Sequence, residues 1–217
     1  MKISYLGHAS FMITADAGTK IITDPYIPDP ASGLSYGEIQ ESADIVTVSH
    51  DHLDHNNAAA IQGNPEVVKR ATTAEIKGIK FKGIPSHHDE IGGGKRGGNV
   101  IFCFEVDSIK ACHLGDLGHL LSEKQVAEIG TVDMLFIPVG GYYTIGASNA
   151  TEICNQLKPR VIIPMHYKTE KCNYTITGVE VFLQGKENIS RLDTSETEFK
   201  QTQLPATAQI IVLKPAL

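Results

Sequence analysis

Residues 49–55 read Ser49-His50-Asp51-His52-Leu53-Asp54-His55, and this stretch decides how the rest of the chain is interpreted. Four of its side chains, those of His50, His52, Asp54 and His55, carry the imidazole and carboxylate groups that zinc, manganese and iron accept as ligands. So dense a set of ligand types predicts a metal site, because packing alone would not require them side by side. Such a site needs further ligands from elsewhere in the chain.

Four predicted strands each lead into a residue that can bind a metal. In chain order, the runs and the residues that follow them are 44–48 with His50, 79–84 with His87 and His88, 109–114 with Asp116, and 160–165 with His166. Sites in layered α/β proteins form where strand ends and their loops meet, so these side chains are expected to converge. Each later residue is a weak candidate by itself and gains its weight from the first stretch.

Alternating β-rich runs, turn signals and amphipathic segments predict a mixed α/β chain. The remaining predicted strands are 2–6, 10–15, 19–23, 66–70, 99–106 and 132–139, with two or three more between 188 and 213. The predicted helices are 54–62, 122–129, 149–158 and 177–185. The second has a capping box at its start, and the fourth is expected to be capped by Thr177. No linker divides the chain, so a single domain over residues 1–217 is expected.

The candidate ligands stand in four short motifs whose order resembles that of the metallo-β-lactamase superfamily. The motifs are His50-x-His52-x-Asp54-His55, Ser86-His87-His88-Asp89, Gly115-Asp116-Leu117-Gly118 and Pro164-Met165-His166-Tyr167. The chain is most similar to the small single-domain hydrolases that include L-ascorbate-6-phosphate lactonase-like proteins, over nearly its whole length. The resemblance implies an α/β (α+β) fold, a four-layer αββα sandwich.

The resemblance also implies two metal sites. The first ion would be held by His50, His52 and one of His87 and His88, the second by Asp54, His55 and His166, with Asp116 bridging both. His88 is expected rather than His87, because the residue directly before Asp89 matches the family pattern better. His8, Asp24 and His113 match family positions near the centre, where orienting the ligands and plain packing both stay open as roles.

The implied activity is hydrolysis of a small, anionic lactone, ester or phosphodiester. Two divalent ions, zinc first with manganese or iron as alternatives, would share a bridging hydroxide that attacks the substrate. Asp54 and Asp116 are the catalytic candidates, since Asp54 can orient the hydroxide or take its proton and Asp116 would join the ions. His113 and Tyr143 are candidate proton donors to the leaving group. RNA phosphodiester cleavage, a di-iron redox role and metal binding without turnover stay as alternatives.

Composition limits the kinds of partner. The chain carries a net charge of −6 and no concentrated basic face, which disfavours a nucleic-acid partner and leaves a small molecule. No apolar run approaches the roughly 18–20 residues that cross a bilayer, so no membrane partner is expected. The four cysteines form no Cys-x-x-Cys pair and are expected to be buried thiols of a cytoplasmic protein. A homo-oligomer stays open.

The glycine-rich segment 92–98 carries Lys95 and Arg96 beside the second motif. One interpretation is a mobile, solvated surface loop. The other is a lid whose two cations bind a phosphate or carboxylate of the substrate. The sequence alone leaves both open.

Overall fold

The computed structural model describes residues 1–217 and contains two β-sheets and three short α-helices. The strands are Lys2–Gly7 (β1), Ser10–Thr14 (β2), Lys20–Thr23 (β3), Ile45–Thr47 (β4), Glu66–Val68 (β5), Thr73–Ile76 (β6), Ile79–His87 (β7), Gly98–Val106 (β8), Ile109–His113 (β9), Met134–Pro138 (β10), Val161–Met165 (β11), Ile189–Arg191 (β12), Glu196–Glu198 (β13) and Gln209–Val212 (β14). The helices are Glu123–Ile129 (α1), Ala147–Leu157 (α2) and Val179–Leu183 (α3), with 3-10 turns at Ala58–Ala60 and Gln201–Gln203. None of the helices is long and apolar enough to cross a bilayer.

The two sheets differ in how their strands run. The six-stranded sheet has the order β13-β1-β2-β3-β4-β5, antiparallel from β13 to β3 and parallel from β3 to β5. The eight-stranded sheet has the order β12-β14-β11-β10-β9-β8-β7-β6, antiparallel from β6 to β9 and parallel beyond. Because β7 is two antiparallel steps from β9, strands β7, β9, β10 and β11 all point the same way. Their carboxyl ends therefore lie along one edge.

Apolar side chains from both sheets fill the space between them. Phe11 and Ile21 of the six-stranded sheet belong to the same buried cluster as Phe81, Phe102 and Phe136 of the eight-stranded sheet. These aromatic rings have essentially no exposed surface, and burying apolar area of this size is the main contribution to folding stability. The predicted α/β sandwich of two packed sheets is confirmed.

The two outer faces of the sandwich are covered in different ways. Over the eight-stranded sheet, Leu135 of β10 packs in one cluster with Ile129, Ile153 and Phe182, one from each helix. Over the six-stranded sheet, Ile22 of β3 and Val46 of β4 pack in one cluster with Tyr36 from the chain between β3 and β4 and with Ile176 from the segment after β11, so loop segments form this cover. The four layers are therefore loop, sheet, sheet and helix.

The predicted helix at 54–62 is wrong, because only the 3-10 turn at Ala58–Ala60 forms there. Asn57 donates from its backbone nitrogen to the Pro25 oxygen at 2.7 Å and from its side chain to the Tyr26 oxygen at 3.1 Å. His55 is bound through its ring to Asp24. Contacts with the segment after β3 thus replace the helical hydrogen bonds that the alanine run favours locally.

Two other predicted elements differ from the structure. The helix predicted at 177–185 is shorter and starts after Gly178, because the Thr177 hydroxyl donates to the Gly140 oxygen at 3.1 Å and caps nothing. Strand β6, at Thr73–Ile76, was not predicted, since its polar residues carry little β signal and it forms by pairing with β7. The capping box of α1 at Ser122 and Gln125 is confirmed.

Candidate metal centre

Asp24, directly after β3, organises both ends of the stretch 49–55. Its carboxylate accepts hydrogen bonds from the Ser49 backbone nitrogen at 2.8 Å, the Ser49 hydroxyl at 2.5 Å and Nδ1 of His55 at 3.0 Å. Burial opposes the charge, but the hydrogen bond from His55 and the nearby imidazoles of His113 and His50 outweigh it and hold the pKa of Asp24 below its ordinary value. Because a carboxylate only accepts, Nδ1 of His55 carries a proton, so Nε2 is the ring nitrogen that a metal ion could take.

The Ser49 hydroxyl links Asp24 to a second imidazole, that of His50. The Ser49 hydroxyl lies 2.9 Å from Nδ1 of His50, and its single proton is donated to Asp24. His50 therefore donates from Nδ1 to Ser49 and keeps the lone pair of Nε2 free. Burial, reinforced by the neighbouring His55, lowers the pKa of His50 to about 3, so its imidazole is neutral at pH 7.

The first group of ligand atoms comes from His50, His52 and His88, and all of them lie within 4.8 Å of one another. Nε2 of His50 is 3.1 Å from Nδ1 of His52. His88 is buried, and His52 is exposed at the surface of the group. These are the three histidines expected around the first ion.

The second group comes from Asp54, His55 and His166, joined by His8, with ligand atoms within the same 4.8 Å limit. Nε2 of His8 lies 3.2 Å from Oδ2 of Asp54, and the ring centroids of His8 and His166 are 4.0 Å apart. Burial raises the pKa of Asp54, but His55 and His8 outweigh it and hold that pKa below its ordinary value. A carboxylate here accepts from His8, so Nε2 of His8 carries the proton.

Asp116 lies between the two groups. Its Oδ2 is 3.2 Å from Nε2 of His88 in the first group and 3.2 Å from Nε2 of both His55 and His166 in the second. Burial opposes its charge, but His166 and His55 hold the pKa of Asp116 well below its ordinary value. In return, the Asp116 and Asp54 carboxylates outweigh burial and raise the pKa of His55 well above its ordinary value.

The buried polar atoms of these groups fit divalent metal ions. Oδ1 of Asp116 and Nε2 of His55 are buried and have no hydrogen-bond partner in the protein. Nε2 of His55 approaches Oδ2 of Asp116 without hydrogen-bond geometry. Unpaired buried polar atoms cost about 1–3 kcal/mol each, so a convergent set of them calls for a ligand. A donor set of imidazole nitrogens and carboxylate oxygens, without thiolate, suits zinc, manganese or iron.

His88 and His87 occupy different environments. Nε2 of His88 points to Asp116, whereas His87 is exposed and accepts nothing from the two groups. The backbone nitrogen of His87 donates to Nε2 of His119 at 3.1 Å, and the two rings lie beside each other on the surface. Of the two histidines, the structure thus brings His88 and not His87 to Asp116.

The loop that carries Asp116 is braced by buried side chains. His113 has no exposed surface, contacts the Ala9 oxygen through Nε2 at 2.9 Å and accepts from the Gly115 nitrogen through Nδ1 at 3.2 Å. Asn99 accepts from the Asp116 nitrogen at 3.0 Å. Because both ring nitrogens of His113 are bonded to backbone, it cannot donate a proton to a leaving group, and that suggestion from the sequence is wrong.

A cavity of about 460 Å³ opens onto both groups of ligands. Its wall contains Lys95, Arg96 and Tyr143, all considered from the sequence, and Tyr174, which was not. Tyr174 lies edge-on to the His8 ring with centroids 5.6 Å apart, and burial together with the Asp54 charge raises its pKa well above the ordinary value. A lone tyrosine in the polar segment after β11 carries no spacing signal, so sequence reasoning had no means of finding it.

Comparison with known proteins supports a common family. A family model described as a β-lactamase superfamily domain matches residues 2–166. A protein described as a candidate Zn-dependent hydrolase of the metallo-β-lactamase superfamily, from Thermotoga maritima, has a similar crystal structure with a TM-score of 0.81 and 37% identity, covering 98% of this chain and 97% of that one. Metal-dependent hydrolases from Pelotomaculum thermopropionicum and Natranaerobius thermophilus are 31% and 30% identical, each over 78% of this chain and 85% and 84% of theirs.

Proposed function

Because this chain belongs to the metallo-β-lactamase superfamily and is a metal-dependent hydrolase, we propose that it uses two divalent ions to hydrolyse a small, anionic lactone, ester or phosphodiester. The first ion would be held by His50, His52 and His88. The second would be held by Asp54, His55 and His166, with Asp116 shared between them.

The observation that carries this proposal is the position of Asp116. One carboxylate oxygen lies 3.2 Å from a histidine nitrogen of the first group and 3.2 Å from two of the second. A single ion bound in one group would leave the imidazoles of the other with unused lone pairs. A carboxylate oxygen that faces both groups has the position expected of a ligand shared by two ions.

The chemistry divides between the ions and the side chains around them. When bound, the ions supply hydroxide at neutral pH and a Lewis acid for the oxygen that becomes charged. Asp54 lines the cavity, and its Oδ2 is held by the Nε2–H of His8, which restrains the carboxylate to one orientation. Asp54 can therefore orient the attacking group or take its proton. Asp116 holds the two groups at a constant separation.

Two phenols are placed to serve the leaving group. Tyr143 and Tyr174 both line the cavity, with ring centroids 5.9 Å apart. The hydroxyl of neither tyrosine bonds to another protein group, and burial raises the pKa of Tyr174 above its ordinary value, so this hydroxyl keeps its proton at pH 7. Either hydroxyl can donate a hydrogen bond to an oxygen that becomes negatively charged.

The size and charge of the cavity support a small anionic substrate. A volume of about 460 Å³ suits a metabolite-sized molecule. Lys95 and Arg96 lie on its wall, so an anion is attracted locally although the chain carries a net charge of −6. The acidic balance of the whole chain disfavours RNA.

The test of two ions is Asp116→Asn. Asparagine keeps the size of the side chain but loses the charge that both groups share, so metal content measured by mass spectrometry is expected to fall from two ions per chain to below one. Turnover of a lactone, carboxylic ester and phosphodiester panel, with zinc, manganese or iron supplied, is expected to fall at least about a hundredfold. The metal-free variant should keep the circular dichroism of the wild type.

Asp193→Asn is the matched control, because its side chain is 95% exposed, belongs to neither ligand group and does not line the cavity. This control should keep two ions and full turnover. Wild-type metal content and activity in Asp116→Asn would refute the bridging role. Failure of the loaded wild type to hydrolyse any member of the panel with any of the three metals would refute the proposed substrate classes.

A further inference from the structure

The glycine-rich segment is built around one buried carboxylate. Asp89 accepts four backbone hydrogen bonds, from the nitrogens of Ile91, Gly93, Lys95 and Arg96, at 3.0, 2.8, 2.8 and 2.7 Å. We call residues 89–97 the Asp89 loop. Its amide groups face inward onto Asp89, so they cannot bind an external anion. The Asp89 loop instead contributes the side chains of Lys95 and Arg96 to the wall of the cavity.

Arg96 is oriented further by two tyrosines. Its guanidinium carbon lies 5.6 Å from the ring centroid of Tyr143 and 5.9 Å from that of Tyr142, both in the loop after β10. Stacking on aromatic faces restrains a guanidinium group while leaving its N–H donors at the edge free. The Asp89 loop, which carries Arg96, and the loop after β10 thus restrain the Arg96 side chain from two sides.

No acidic side chain neutralises these cations. Neither Lys95 nor Arg96 forms an ion pair, although the chain has more acidic than basic residues. Arg96 lines the cavity above the ligand groups and also a neighbouring one that His87 and Lys69 help to form. An unpaired, pre-oriented guanidinium at the junction of two cavities is arranged to receive an anionic group from outside the protein.

We propose that Arg96 binds a carboxylate or phosphate that the substrate carries apart from the bond being cleaved, and that Asp89 is the positioning residue for Arg96. This inference rests on the proposed hydrolase function and narrows its substrate class to esters or lactones with a second, anionic group. Guanidinium donors bind both oxyanions in the same bidentate manner. Lys95 adds a positive charge on the same wall.

The first test compares two esters of p-nitrophenol, the neutral butyrate and the anionic hemisuccinate, in metal-loaded protein. Arg96→Gln removes the charge but keeps a long polar side chain. The ratio of kcat/KM for the hemisuccinate to that for the butyrate is expected to fall about tenfold or more, the loss typical of one charge-assisted hydrogen bond. The control is Arg70→Gln, the same substitution at an exposed residue that lines neither cavity, which should leave the ratio unchanged.

The second test is Asp89→Asn, alone and combined with Arg96→Gln. Asparagine cannot accept all four amide hydrogens, so the single variant should lower the ratio and speed hydrogen exchange at residues 91–97. If Asp89 acts through Arg96, the double variant has the ratio of Arg96→Gln alone. Equal losses for both esters in Arg96→Gln, or additive losses in the double variant, would overturn the proposal.

A binding measurement separates this proposal from the hydrolase assignment. Inorganic phosphate is titrated calorimetrically into metal-loaded wild type, Arg96→Gln and Arg70→Gln. Phosphate affinity is expected to fall about tenfold in Arg96→Gln only, whether or not either ester is hydrolysed. Equal affinity in all three proteins would overturn the role of Arg96 and leave the metal centre unaffected. Absence of ester turnover together with the affinity loss would count against the proposed reaction instead.

Discussion

Asp24 controls the lone pairs of one histidine in each ligand group. It accepts directly from His55, and it accepts from Ser49, which accepts in turn from His50. Both imidazoles therefore carry a proton on Nδ1 and direct Nε2 toward Asp116. One buried carboxylate that binds no metal in our assignment thus prepares both groups for metal binding.

Asp24→Asn is expected to weaken metal binding in both groups. An asparagine amide can donate to Nδ1 of His55, which favours the proton on Nε2, the nitrogen that should face the ion. Removing such a partner typically costs about 10- to 100-fold in metal affinity. Competition with a chromophoric zinc chelator measures the loss, and Asp193→Asn serves as control. An unchanged affinity in Asp24→Asn would show that the tautomer of His55 is set by another contact.

Candidate ligands can be predicted from the sequence where ligand types are dense, and not where a single such residue stands alone. The cluster at 49–55 and the ordered later motifs assigned every member of the two groups as a ligand except His8, which the resemblance placed near the centre with its role left open. His8 joins its group through a left-handed backbone, φ 56°, directly after β1, which no spacing rule reveals. Tyr174 and the paired nitrogens of His113 likewise depend on contacts between distant segments.

Loops after strands, held against each other, set the distances within the centre. The loop after β9 packs on the loop after β7 at Gly118, whose nitrogen donates to the His87 oxygen at 2.9 Å. A Cβ atom at Gly118 would lie 2.3 Å from the Asp89 nitrogen and 2.4 Å from the His88 carbonyl carbon. Only glycine allows these two backbones to approach so closely.

Gly118→Ala is therefore expected to push His88 away from Asp116. Overpacking of this kind costs typically about 1–3 kcal/mol in the free energy of unfolding, and the first ligand group should lose metal before the second. Thermal unfolding and metal content are the measurements. Gly37→Ala is a suitable control, since its added Cβ would meet only the Leu217 side chain at 3.6 Å. A variant with wild-type melting temperature and metal content would contradict the argument.

The strands were predicted more reliably than the helices. Runs of β-branched residues such as those of β4 and β11 are buried on both faces and have no alternative conformation that buries them as well. The segment 54–62 has an alanine run but follows His55, whose ring is tied to Asp24. There, tertiary contacts of the ligand loop outweigh helix propensity, which amounts to less than about 1 kcal/mol per residue.

At the scale of the whole molecule, the candidate ligands join the two sheets. His50, His52, Asp54 and His55 follow β4 of the six-stranded sheet, and His88, Asp116 and His166 follow β7, β9 and β11 of the eight-stranded sheet. Bound ions would therefore link the two halves of the sandwich at one edge. The order of the four motifs predicted that the ligands converge. Local sequence patterns could not predict which strands lie next to each other in each sheet.

Removal of metal is expected to lower the melting temperature of the whole chain. Binding to the folded state alone contributes about 4 kcal/mol when free metal exceeds Kd a thousandfold. Calorimetry of protein stripped with a chelator and then reloaded with zinc measures the effect, and reloading should restore the wild-type value. Asp116→Asn should show a much smaller shift on adding zinc. Identical melting temperatures for stripped and reloaded wild type would contradict a link between the sheets.

The pairing of β1 with β13 also governs how the chain can fold. Lys2 pairs with Glu198, and Ser4 with Glu196. Strand β1 can therefore complete its pairing only when β13, far along the chain, is available. Bringing two strands so distant in sequence together costs chain entropy before their stabilising contacts form, and this slows folding. During synthesis, one side of β1 exposes unpaired amide and carbonyl groups until residue 198 has left the ribosome. That edge is the place where a nascent chain is most exposed to pairing with another copy.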